Sequence, residues 1–246
     1  MKHSLTLLTT LLLAPLHAVH AAEPNLEPLL CKRGEPVFSD SFDGAMKTEW
    51  SPTYKTRWAI ANGMLNGQPA TPEDQASAHD EKHNGKSPDI QLNVPTTDCI
   101  VQYSFKMSSA TTQQSLTFND GNAITGTGHI SALQLHFRNG AALLKKKSTK
   151  TQGDADEVLA TFDWKPKPDQ WYHVMQEMRG EEVVVQIQGG PTLVANHPRF
   201  ATAKTWLSLG TWGGGTVSYA NVRIWKGDPN PQWEEMRKRL PKARGK

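Results

Sequence analysis

The chain has 246 residues, 37% of them apolar or aromatic, which suits one large domain better than two small ones. Its formal charge is +3, but Arg237, Lys238, Arg239, Lys242, Arg244 and Lys246 place six positive charges in the last ten residues and leave the body mildly acidic. That distribution argues against a nucleic-acid partner, since a short basic tail after a short helix reads as a solvated end.

Lys2, the apolar run from Leu5 to Leu16 and the small-residue stretch Val19-His20-Ala21 read as an export signal over residues 1–21. The run is too short to span a bilayer and no other stretch approaches about 20 apolar residues. The expectation is an exported protein, periplasmic or extracellular, with no integral membrane segment. Cys31 and Cys99 are the two cysteines. In an oxidising compartment they read as a disulfide stabilising by about 3–5 kcal/mol, with two separate buried thiols as the alternative.

Residues 22–36 form a proline-marked lead-in. Residues 37–228 carry the strand pattern, and 229–246 hold a short helix and the basic tail. Val37 to Asp43 alternates, and Trp58 to Gly67 reads as two strands about Asn62-Gly63. Gln68 to Lys86 is polar and reads as a surface loop. Strands follow at Asp89–Val94, Cys99–Met107, Ser115–Phe118, Ala132–Arg138, Ala141–Lys147 and Val158–Trp164. Gln170 to Gly189 is a hairpin turning near Arg179-Gly180, and Trp206 to Lys226 carries two runs flanking Gly213-Gly214-Gly215. Only Pro231 to Leu240 reads as a helix, acidic early and basic late. The fold class is therefore all-β: a two-sheet antiparallel β-sandwich with a short C-terminal helix.

The pieces Phe38-Ser39-Asp40-Ser41-Phe42, Trp58 to Leu65, Gly128-His129-Ile130, Trp171 to Val174 before Glu177 to Glu181, and Val217 to Trp225 resemble the concanavalin A-like lectin/glucanase jelly rolls. Within that group the chain looks nearest to the secreted bacterial 3-keto-disaccharide hydrolase domains. The resemblance implies an extracellular or periplasmic protein acting on oligo- or polysaccharide. Two departures stand out. There is no Glu-x-Asp-x-x-Glu strand of the laminarinase type, which argues against a two-carboxylate retaining glycosidase. And Phe118-Asn119-Asp120 stands where the hydrolase-like relatives tend to carry Asn-Ser-Gly-Ile.

His79-Asp80-Glu81-Lys82-His83 is the densest set of ligand-type residues. It reads as a solvated loop, with a divalent metal as the alternative, and His83-Asn84-Gly85 resembles a His-bearing loop of the relatives. Asn119-Asp120 ends one strand and His129 begins the next. His83, Asp120 and His129 are thus the catalytic candidates, with plain turn chemistry at Asn119-Asp120-Gly121 as the competing reading. By period-two alternation Gln134, His136 and Arg138 share the face opposite Leu133 and Leu135. Trp206 and Trp212 share a face opposite Leu207 and Leu209. With Asn119 these are the substrate-binding candidates, an aromatic platform beside a few polar groups. Three functions stay open: a hydrolase or lyase working on glycosidic bonds, a non-catalytic carbohydrate-binding module, and a structural or interaction domain.

Overall fold

The computed structural model describes residues 23–79, 81–121, 129–137, 140–148 and 155–240. The export signal, Asp80, Arg138 and the tail beyond Leu240 lie outside them. The described residues hold fifteen strands: β1 (Cys31–Asp40), β2 (Trp50–Pro52), β3 (Arg57–Ala61), β4 (Met64–Gln68), β5 (Asp89–Leu92), β6 (Cys99–Met107), β7 (Gln113–Asn119), β8 (His129–His136), β9 (Ala141–Lys146), β10 (Glu157–Asp163), β11 (Tyr172–Arg179), β12 (Glu182–Ile187), β13 (Thr192–Asn196), β14 (Trp206–Trp212) and β15 (Val217–Pro229). One sheet runs β13-β12-β11-β6-β15-β4-β3, with β1 also on β15; the other runs β10-β9-β8-β7-β14-β5-β2.

Every strand pairing is antiparallel, and local sequence sets the tight turns. Asn62 and Gly63 both take positive φ, 54° and 65°, as a primed two-residue turn between β3 and β4 demands. The sandwich core lies between the sheets. Val101, Tyr103 and Phe105 of β6 meet Leu116 and Phe118 of β7, Leu133 of β8, and Leu207 and Leu209 of β14 in one cluster. Each such fully buried side chain contributes about 1.5–3 kcal/mol of transfer free energy, so this layer dominates the stability.

β1 begins at Cys31, inside the expected lead-in, and the segment before it has a packing role. Leu26, Leu30 and Cys31 cross the outer face of the first sheet and form a second apolar cluster with Ile100, Met175 and Val184. Trp233 of α2 (Trp233–Arg239) closes that cluster, its Nε1 donating to Glu182 Oε2 at 3.0 Å. This layer covers part of the polar side of β6, where Gln102 and Ser104 are 2% and 0% exposed rather than solvated.

The disulfide expectation is corrected here: both cysteines are buried free thiols. β15 lies between the strands that carry them, β1 and β6, and a disulfide needs Cβ atoms directed at one another. The two cysteines face opposite sides of the sheet, Cys99 into the sandwich core and Cys31 into the outer cluster. Unfolding the protein without reductant is therefore expected to reveal two reactive thiols per chain in a thiol titration.

The outer layer hangs on Glu177. This β11 carboxylate is fully buried and accepts the backbone N–H groups of Leu29 and Cys31, each at 2.8 Å. Burial pushes its pKa up to about 7 against the pull of these N–H groups. Glu177→Ala would leave both donors buried without an acceptor, and should cost about 2–4 kcal/mol, read as a lowered urea midpoint.

Candidate functional site

A cleft of about 600 Å³ lies on the outer face of the second sheet. Alternation builds its floor. β5 buries Ile90 and Leu92 and presents Asp89 and Gln91; β7 buries Leu116 and Phe118 and presents Ser115 and Thr117. β14 buries Leu207 and Leu209 and presents Trp206, Ser208 and Trp212. Trp206 and Trp212 stand six residues apart, about 20 Å along a strand, so the cleft has an indole towards each end. Trp212 is 56% exposed, a large apolar side chain that the fold leaves uncovered.

His129 reaches the cleft by a break in the alternation. Phe118 pairs with Ser131, but Asn119 pairs with His129, so the register slips by one residue. Ile130 goes to the core while His129 joins Ala132 and Gln134 on the cleft side. Asn119 Nδ2 donates to Thr117 O at 3.2 Å, which turns Asn119 Oδ1 towards the Nδ1 of His129 in a short hydrogen bond. An acceptor at that position fixes the proton on Nδ1, so Nε2 carries the lone pair of the neutral ring. Burial, then the nearby Lys147 cation, holds the imidazole below its ordinary pKa, only partly opposed by Asp156.

The other wall is the turn at residues 53–56, pinned onto Asp89. The Asp89 carbonyl accepts from Thr53 N at 3.1 Å, and from Thr53 Oγ1 and Thr56 Oγ1 at 3.0 Å each. Thr53 Oγ1 also lies 2.8 Å from Asp89 Oδ1. These bonds hold Tyr54 and Lys55 at φ 52° and 57°, a left-handed pair that costs about 1–2 kcal/mol per non-glycine residue. The outcome is a Tyr54 ring 46% exposed at the cleft, stacked on His83 with centroids 4.9 Å apart and planes at 27°. Desolvation raises the Asp89 carboxyl to about 6, with the Thr53 hydroxyl and the His83 charge acting the other way.

Of the residues singled out from sequence, His83, His129, Gln134, Trp206 and Trp212 line this one cleft, with Asn119 behind His129. Asp120 does not. It is 5% exposed just past the end of β7 and is not among the residues that line the cleft. His136 is also outside the lining, its Nε2 buried without a hydrogen bond among the described residues, and Arg138 lies beyond them. The expected loop at Gln68–Lys86 contains a helix, α1 (Pro72–Ala76), capped by Thr71, and a 3₁₀ turn at Glu81–His83. Among the described residues no group of three or more His, Cys, Asp or Glu side chains is placed to hold a metal ion.

Asp89, Gln91, Thr53, Tyr54 and Ser208 were not foreseen as site residues. The alternation Asp89-Ile90-Gln91-Leu92 carried the signal for the two β5 positions. The lining carboxylates are Asp89 on β5 and Glu81 on a loop, so no strand presents a pair of them.

This arrangement is a concanavalin A-like jelly roll with a cleft across one sheet. No protein-family model and no curated protein matches the chain in sequence, so the narrower likeness to 3-keto-disaccharide hydrolase domains gains no support there. Among solved structures the chain is similar to carbohydrate-binding module CBM66 from Bacillus subtilis, at 13% identity over 73% of this chain and 96% of that one, with a TM-score of 0.54. It is similar to a Bacillus subtilis protein of unknown function with a galectin-like fold, at 13% identity, 81% and 100% coverage and TM-score 0.58. A third is a non-specific endo-β-1,3(4)-glucanase of family GH16, at 11% identity, 78% and 91% coverage and TM-score 0.54. Identities this low define the fold.

Because its folded pKa is raised, Asp89 contributes stability that is full below the unfolded value of about 4 and lost as pH rises through about 6. A carboxyl-carbon NMR titration should place the Asp89 midpoint near 6, and Asp89→Asn should remove that segment of the stability profile.

Proposed function

We propose that the protein is an exported carbohydrate-binding protein that holds a glycan chain along the cleft of the second sheet. The observation that carries this is the composition of the cleft: an exposed indole towards one end, a second indole near the other, and a floor of short polar groups between them. Sugar rings present apolar faces and hydroxyl edges, which match aromatic platforms and convergent hydrogen-bonding groups. The fold neighbours, a carbohydrate-binding module and a glucanase, agree with this reading. Export rests on the signal-like pattern of residues 1–21. No helix among the described residues is long and apolar enough to cross a membrane.

A second reading, cleavage of a glycosidic bond, is favoured by one observation: the same cleft holds a neutral His129 with its tautomer fixed and an Asp89 that titrates near 6. An imidazole and a carboxyl are the usual proton-transfer groups of such a reaction. By register their backbones are three strands and four rows apart, roughly 20 Å on a flat sheet, far for two groups acting on one bond. Binding is therefore the primary function.

A glycan-array screen of the mature protein, run beside a mass-spectrometric search for products, tests this. Trp212→Ala should weaken glycan binding at least tenfold with no product formed by wild type. Turnover that vanishes in His129→Ala would move the assignment to the enzymatic reading, and neither binding nor turnover would leave the cleft without a carbohydrate role.

A further inference from the structure

The floor of the cleft contains one feature that alternation alone does not account for. Asp89 Oδ1 is engaged by the Thr53 hydroxyl, but Oδ2 accepts no hydrogen bond among the described residues and is not sealed from solvent. Its place exists because the residue beneath it, Gly210, has no side chain. A Cβ on Gly210 would collide with Asp89 Oδ2, and would lie 3.4 Å from Ser115 Oγ. Gly210 has no positive φ of the kind that demands glycine, so what it supplies is space. A carboxylate oxygen is thus seated over a gap in the sheet, held by a turn whose strained residues also bring the Tyr54 ring to the same cleft.

We propose that Asp89 Oδ2 is the hydrogen-bond anchor of one subsite, accepting from adjacent hydroxyls of a neutral sugar ring beside Tyr54, and that Gly210 sets this specificity by giving the carboxylate its seat. This rests on the carbohydrate-binding reading and adds the sugar class. An ionised carboxylate makes strong, short hydrogen bonds to hydroxyl donors. The charges around it argue for a neutral ring. Glu81 and Asp89 line the cleft against Lys86 and Lys147, and Lys147 is already ion-paired with Asp156. A uronic acid would bring a second carboxylate to Asp89, beside which His83 and Lys86 are the basic residues of the facing loop among the described lining.

The test is calorimetric binding of the mature protein to laminarin, levan, galactan, polygalacturonate and chitosan. The expected result is binding to a neutral polysaccharide of this panel, weakened at least tenfold by Asp89→Asn. Gly210→Ala should weaken it comparably while leaving every charge in place. Should Gly210→Ala fail to fold, the Asp89 carboxyl resonance of wild type decides, since it must shift when the best neutral ligand saturates the protein. Neutral-glycan binding with that resonance unmoved and Asp89→Asn unimpaired overturns the anchor and leaves carbohydrate binding standing. Preference for polygalacturonate or chitosan overturns the neutral class. No binding to any of the five overturns the subsite together with the reading beneath it.

Discussion

The second sheet must bury one side of each strand against the first, and most of the molecule follows from that requirement. Leu116, Phe118, Leu133, Leu207, Leu209, Ile90 and Leu92 enter the core because apolar surface leaves water there. Period two then leaves their neighbours no choice but the opposite face. The cleft floor is the complement of the core, drawn from the same strands, and its register is as rigid as the packing behind it. A one-residue slip in β14 would exchange Trp206 and Trp212 for the leucines beside them.

This coupling explains what the sequence made legible. Trp206, Trp212, Gln134, Ser115 and Thr117 could be placed on one side by counting alone. His129 could not, because the slip between Phe118 and Asn119 inverts the count just where it matters. The cysteines failed on topology: an even pair in an oxidising compartment suggests a bond, yet β15 separates them and they look into different cores. Asp89 was visible as a strand residue but not as a site residue. Its environment depends on a turn more than thirty residues earlier, and no local pattern reports that Thr53 and Thr56 will close onto it.

Two carboxylates illustrate how one residue type takes two roles through surroundings. Glu177 spends both oxygens on backbone donors of the N-terminal segment and so works as a structural tie between that segment and β11. Asp89 uses one oxygen to hold a turn and keeps the other towards the cleft. Burial raises both pKa values. The difference between tie and recognition group lies in what remains unengaged after folding, which neither sequence nor acidity alone reveals.

Both chain ends described here, the segment before β1 and α2, lie on the outer face of the first sheet, while the cleft opens on the outer face of the second. The sandwich stands between them. A contact made on that first outer face, whether with an immobilising surface or a neighbouring molecule, therefore leaves the cleft presented outward.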